Sequence, residues 1–342
     1  MPTRRTFVKL ATLSMLRPRL ALGQSAASTH LNLAEIDRAR ILAAANKALE
    51  QPPTPNGDLQ SDAFLAFTLN IPALAAASVV DPDNAARYGT HAAAYLEAWF
   101  LNPATRPSLT LGNDSYEPLI DLAPYAEIAV ALPYLQLEQG FYTRLKASFA
   151  RYLTFLSEDR TALLARDSKS HHASAWLLQV AAFSRLTAND ALLTESRHRF
   201  KTTTIRAQIN ADGAFPHELT TENPYRNSLF NLDLLAGVCV LLSTRFDSLW
   251  DHELQDGPGM RAAIAFHARY IKSRSTWPYR ADMAHFSQLP GRRPALLFAA
   301  RAYSQPDYAV LWKTLDPDPT DPAILRAFPI RQPILWQNQT KL

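Results

Sequence analysis

Cysteine is almost absent from this chain. Cys239 is the only one among 342 residues, so no disulfide can close within the chain and no cysteine-rich metal site can be built. It sits in an apolar run and reads as a small buried hydrophobe. Glycine is scarce as well, 10 residues against 24 prolines. Few glycines mean few turns at positive φ, which argues against a hairpin-rich sheet. Alternating Val/Ile/Thr runs are lacking, and Ala-Leu-rich segments take their place. What is abundant is apolar surface. At 47% hydrophobic residues, the chain can bury a large core, which excludes a disordered polymer.

A net charge of +4 and a pI near 9.1 suggest a basic protein. The distribution says otherwise. Arg4, Arg5, Lys9, Arg17 and Arg19 all precede the first acidic residue, Glu35; without those five positives, +4 becomes −1. A near-neutral body gives no support to nucleic-acid binding. Residues Thr3-Arg4-Arg5-Thr6-Phe7-Val8-Lys9, the apolar stretch Leu10–Leu16 and the small residues Ala21-Leu22-Gly23 match a twin-arginine export signal. Arg17 and Arg19 interrupt its apolar part early. We expect residues 1–28 to be that signal, residues 29–342 to be one helical domain, and the mature protein to be periplasmic or secreted. No other segment reads as a membrane span.

Helix patterns follow one another with short breaks: Glu35–Leu49, Ala63–Ala77 with a kink or break at Pro72, Ala85–Phe100, Ile120–Glu138, Gly140–Leu156, Ser174–Leu186, Ala191–Gln208, Leu229–Leu242, Gly259–Lys272 and Pro294–Tyr303. Leu229–Leu242 is apolar nearly all round, as a helix buried on every side would be. The expected class is therefore all-α, an α/α toroid or incomplete helical barrel, with a Pro-rich tail, Leu315–Trp336, wrapping the surface.

Two loops hold the residues that could carry chemistry. In the first, His171 and His172 open a helix, and His172, Trp176 and Gln179 share one of its faces. The histidines either serve a polar ligand or are solvated loop residues. In the second, an Asp212-Gly213 turn leads to Phe215-Pro216-His217-Glu218-Leu219 and then to Asn223, Tyr225, Arg226 and Asn227. Asn227 or Ser228 would cap the apolar helix that follows, whose N-terminus would favour a carboxylate. His267 lies on an apolar stripe and reads as a core histidine. The His217-Glu218-Leu219-Thr220-Thr221 segment lacks the second histidine of a zinc-binding helix, and nothing demands a metal or an organic cofactor.

The second loop resembles a stretch of the alginate lyase superfamily of the form D-G-x-(F/L)-P-x-E-L-A-R-T, followed by an aromatic and polar run and Y-S-x-F-N-L. His171-His172 with Trp176 and Gln179 resemble its N-N-H motif and the helix after it. Phe100–Arg106, Trp277-Pro278-Tyr279, Leu296–Tyr303 and Pro329–Trp336 resemble further family stretches. The resemblance covers the chain from about Ala85 onward. It implies an α/α toroid, an acidic polysaccharide as substrate, and β-eliminative cleavage of uronic-acid glycans.

In that family an Asn-His pair and an Arg handle the substrate carboxylate or proton, and a Tyr carries protons. Here His172 matches the family His, and His171 replaces the Asn. Thr221 stands where the Arg is expected, and Asn227 where the Tyr is expected. The family's Gly-Arg-Gly stretch is replaced by Leu111-Gly112-Asn113-Asp114-Ser115-Tyr116-Glu117. Tyr225 and Arg226 stand next to the vacated positions and could supply the missing phenol and guanidinium. The expected catalytic residues are thus His171, His172, Tyr225 and Arg226, with Trp176, Gln179, Asn223 and Asn227 binding substrate. The competing readings are a catalytically silent glycan-binding relative and a glycoside hydrolase using Asp212 and Glu218.

Overall fold

The computed structural model describes residues 31–106 and 115–337. The expected export segment and residues Leu111–Asp114 lie outside the described residues. Among the described residues there is no strand, only an isolated bridge between Glu253 and Gly259. The chain is an all-α toroid. Five helices form its inner wall, each packed on the next: Asp62–Val80, Tyr125–Ala131, His171–Thr187, Pro224–Leu242 and Pro294–Ala302. Outer helices pack against this wall, among them Ala85–Leu96, Gln139–Glu158, Asp190–Arg199 and Met260–Lys272.

The patterning separates the two layers. Gln139–Glu158 buries only Leu145, Phe149, Tyr152, Leu153 and Leu156, a one-sided stripe at helical spacing. Each such side chain contributes about 1.5–3 kcal/mol by leaving water. The inner helix Pro224–Leu242 buries every residue from Ser228 to Leu242, as its all-round apolar sequence anticipates. Asp62–Val80 is also long and apolar enough to cross a membrane, contrary to our reading that no such segment follows the N-terminus. It is instead a core helix, with 78% of its most apolar window buried inside the protein.

Prolines explain where the helices depart from the pattern. Pro72 does not end the helix, which runs unbroken over Asp62–Val80. Its ring removes the amide that would bond the Thr68 carbonyl four residues back; Arg331 Nη1 donates to that carbonyl instead, at 3.1 Å. The expected helix over 120–138 is broken into Pro118–Asp121, Tyr125–Ala131 and a 3-10 turn at Leu132–Tyr134, with Pro124 and Pro133 at the breaks.

The C-terminal tail corrects a second expectation in part: residues 315–323 lie half-exposed or exposed at the surface, but the stretch from Ala327 on does not wrap it. Phe328, Ile330 and Pro333–Trp336 are buried against the inner helices. Glu127, on an inner helix, accepts from the amides of Arg331 and Gln332 at 2.8–2.9 Å and from Trp336 Nε1 at 3.2 Å. Gly237, on another, gives the tail room. A Cβ there would stand 2.8 Å from Ile330 Cδ1 and 2.9 Å from Leu178 Cδ1, closer than packed atoms tolerate.

Candidate active site

The His171 and Asn223 stretches meet at one open groove. Its volume is about 490 Å³, and His171, His172, Thr221, Asn223, Arg226 and Asn227 all line it, with Glu117, Phe230 and Arg326. Thus six of the expected or vacated positions converge, although they are distant in sequence.

The loop before the second stretch is built to aim Glu218 inward. Asp212 Oδ1 accepts from the Ala214 amide at 3.1 Å, and the Asn210 amide donates to the Ala214 carbonyl at 3.1 Å. Gly213 takes φ +94°, and a Cβ there would lie 2.2 Å from the Ala262 carbonyl oxygen; only glycine fits both demands. Pro216 then opens the one-turn helix Pro216–Leu219. Glu218 is fully buried beneath the histidines. Its Oε1 accepts from the His171 amide at 2.7 Å, and its Oε2 contacts His171 Nδ1 at 2.7 Å. A carboxylate accepts only, so Nδ1 carries the proton, and in the neutral ring Nε2 keeps its lone pair. Asn231 Nδ2 reaches Gln208 Oε1 at 2.8 Å and Glu218 Oε1 at 3.4 Å, and Ser174 Oγ donates to Gln208 Oε1 at 2.8 Å. This buried network fixes the carboxylate from behind.

His172 stacks on His171, with ring centres 4.4 Å apart. Its Nδ1 lies 2.9 Å from Ser170 Oγ, and its Nε2 lies 3.1 Å from Glu117 Oε1 without the alignment of a hydrogen bond. Burial, and then the neighbouring His171, push the His172 imidazole below its ordinary pKa against the pull of Glu117. The ring is therefore neutral at neutral pH. Tyr116 meets it edge-on, with ring centres at 4.9 Å.

Arg226 brings a cation to the groove. Burial lowers its pKa, with Asp282 and Asp121 opposing, yet a guanidinium stays charged. Among the described residues its guanidinium forms no ion pair, whereas Arg326 is held by the carbonyls of Gln60 and Ser61 at 2.6 and 3.0 Å. Thr221 and Asn227 stand together, Asn227 Nδ2 donating to Thr221 Oγ1 at 3.1 Å.

Three expected site residues are elsewhere. Tyr225 precedes Arg226 by one residue, a 100° turn of the helix, which sends it into the core. It is fully buried, its hydroxyl donates to the Tyr270 carbonyl at 3.1 Å, and burial raises its pKa. Trp176 is buried, with Nε1 donating to the Leu156 carbonyl at 2.8 Å. Gln179 is buried too, accepting from the Tyr152 hydroxyl at 3.0 Å and donating to the Leu119 carbonyl at 3.1 Å. The face they share with His172 points into the wall below the first turn. The helix caps also differ. The helix begins at Pro224, and neither Asn227 nor Ser228 caps it; Asp282 accepts from the amides of Tyr225 and Arg226 at 2.7 and 2.9 Å. That N-terminus already holds a carboxylate. Asp212 belongs to an exposed turn outside the groove, so the hydrolase pair with Glu218 does not assemble there.

Sequence reasoning gave Glu218 only to a hydrolase pair with Asp212, not to the histidines, and gave Tyr116 no role. The signal for Glu218 was the P-x-E-L part of the loop. Tyr116 had none beyond its presence in a divergent stretch.

The comparisons agree with this fold. A family model described as alginate lyase matches residues 23–277, beginning well before Ala85 and ending at Trp277, before the Leu296–Tyr303 and Pro329–Trp336 stretches. No curated protein matches the sequence. An alginate lyase from Bacteroides ovatus superposes with a TM-score of 0.72 at 18% identity, covering 86% of this chain and 96% of that one. Alginate lyase A1-III from Sphingomonas species A1 superposes with a TM-score of 0.57 at 14% identity, covering 80% and 86%. Those likenesses carry the toroid; the family model, spanning most of the sequence, carries the membership, and the chain belongs to the alginate lyase family.

Proposed function

We propose that the groove is the active site of a polysaccharide lyase that cleaves a uronic-acid-containing glycan, alginate or glucuronan-like, by β-elimination. The observation that carries this reading is the meeting, in one open groove, of the Glu218-held His171 with Arg226, whose guanidinium forms no ion pair among the described residues.

The reaction takes the C5 proton, which is weakly acidic because a carboxylate stands beside it. The C5–H electrons form the C4–C5 double bond as the C4–O bond breaks, and the leaving oxygen takes a proton. Arg226 binds the uronate carboxylate and offsets the charge that develops on it. It thereby stands in for the family Arg at the Thr221 position. His171 Nε2 takes the C5 proton, oriented through Nδ1 by Glu218. His172 packs on that ring and keeps it in place. Tyr116 delivers the proton to the leaving oxygen, the task lost where Asn227 replaces the family Tyr. Asn223 and Asn227 provide amide groups for sugar hydroxyls. The twin-arginine-type leader would bring such an enzyme to polymers in the periplasm or outside the cell.

Alginate and glucuronan digests followed in the far ultraviolet test the reading, because elimination leaves a conjugated double bond. The wild type should produce that absorbance, and Arg226→Ala should lower kcat/KM by at least about 10²-fold, as expected for loss of a charge-stabilising donor. Binding without any absorbance across these glycans would replace the lyase by a glycan-binding module.

A further inference from the structure

We propose that Arg326 is a second carboxylate-binding residue of the groove, and that it selects glycans with uronic acids on adjacent rings. The inference rests on the lyase reading of that groove and names what is recognised beside the reacting sugar.

The C-terminal tail delivers Arg326 into the same groove as Arg226. Its backbone is pinned on the far side. The carbonyl of Ala327, the next residue, accepts from the buried Arg293 Nη2 at 3.0 Å, and Glu127 holds the amides of Arg331 and Gln332. The side chain is pinned as well, through Nη2 alone, by the Gln60 and Ser61 carbonyls. Carbonyls carry no net charge, so they hold the guanidinium without neutralising it. The Asp62 carboxylate comes only to 3.8 Å and is 93% exposed, where an ion pair is weak. Arg326 Nε and Nη1 have no acceptor among the described residues, and neither belongs to the polar atoms sealed from solvent. Two donors of a fixed cation are thus free to meet a ligand, and fixing them beforehand lowers the cost of binding.

The half-buried Asp121 acts electrostatically on both Arg226 and Arg326, which puts the two guanidiniums in one neighbourhood. Its single charge cannot balance both. Glu117 and Glu222 also line the groove, but both are exposed, and water and salt screen exposed charges most. A polyuronate carries a carboxylate on every ring. Arg226 takes the one on the reacting ring, and the carboxylate of the adjacent ring meets Arg326 through a charge-assisted hydrogen bond. A neutral neighbouring sugar leaves Arg326 unanswered. The contact is the same before and during C5 proton transfer, so it lowers KM and leaves kcat as it is.

Steady-state elimination and calorimetric binding on the full chain test this with alginate and glucuronan, each intact and with its carboxyl groups extensively reduced to alcohols. The wild type should show the lower KM on the intact polymers. Arg326→Gln keeps a donor for the two carbonyls and loses the charge. It should raise KM on the intact polymers about tenfold at unchanged kcat, and barely alter KM on the reduced ones. Arg326→Lys should keep most of the preference. If no polymer is cleaved, the lyase reading falls, and the calorimetric affinities of wild type and Arg326→Gln for the same polymers decide on Arg326. The proposal is overturned if the wild type binds intact and reduced polymers alike, or if Arg326→Gln weakens both alike. A fall in kcat at unchanged KM overturns it too. The wild-type comparison needs no variant to fold.

Discussion

Residues of the same kind do different work in the wall of the toroid and in its groove. Glu127 and Glu218 are both fully buried carboxylates. Glu127 spends its oxygens on two backbone amides and an indole of the tail. Glu218 gives one to a backbone amide and the other to an imidazole that reaches solvent. His267, sealed between the outer helix Met260–Lys272 and its neighbours, is 1% exposed, bonds the Ala263 carbonyl at 2.8 Å and stacks on Phe215; His171 and His172 open onto the groove. Tyr225 is sealed in the wall, and Tyr116 stands half-exposed beside His172. Residue type therefore says little about function here. What divides the pairs is whether the partner chain of contacts ends inside the protein or at the groove.

The carboxylates allow the largest test. Glu127→Ala leaves three donors in the core without an acceptor, and should destabilise the fold by about 3–5 kcal/mol. Denaturant unfolding measures this, while turnover per folded molecule should stay as in the wild type. A stable Glu127→Ala variant with impaired turnover would erase the distinction between the two carboxylates.

The histidines allow the next. Burial lowers the His267 pKa to about 4, below the roughly 6.5 of the unfolded chain. The unfolded chain then binds the proton more readily than the folded one. Stability due to neutral His267 is complete above about pH 6.5 and is lost as pH falls toward 4, by up to about 3 kcal/mol. His267→Leu should flatten the urea midpoint across that window. An unchanged slope would mean that His267 does not govern it.

How far the sequence reveals this division depends on what the pattern encodes. Helical periodicity and the all-round apolar run at Leu229–Leu242 anticipate the layers, because burial acts through every residue of a stripe. His267 is legible for the same reason. The tail is not. Its prolines suggest a surface strap, which holds for residues 315–323, and only the three-dimensional placement of Glu127 and Gly237 reveals that the end of the tail is buried. Pro72 misleads for a related reason, since the carbonyl it frees finds Arg331, more than 250 residues away. In the groove, adjacency in sequence is a poor guide. Arg226 reaches it and Tyr225 does not, because one step along a helix turns a side chain by 100°. Asp282 caps that helix from a distant loop, which no local capping signal announces.

The phenols give the smallest change in stability and the finest discrimination. Tyr225→Phe removes one buried hydrogen bond, to the Tyr270 carbonyl, and should cost about 1 kcal/mol. It should leave turnover unchanged, because a hydroxyl sealed behind the wall, its pKa raised by burial, has no path to a sugar oxygen. Tyr116→Phe should do the reverse. Its hydroxyl supports no packing that the ring does not retain, so the thermal midpoint should hold while kcat falls by about 10²-fold, the usual contribution of a proton-transferring group. Steady-state rates on one cleaved glycan, set beside the two melting curves, decide between them. If Tyr225→Phe were the slow variant and Tyr116→Phe the fast one, proton delivery would have to come through the wall, and the boundary between wall and groove would be drawn in the wrong place.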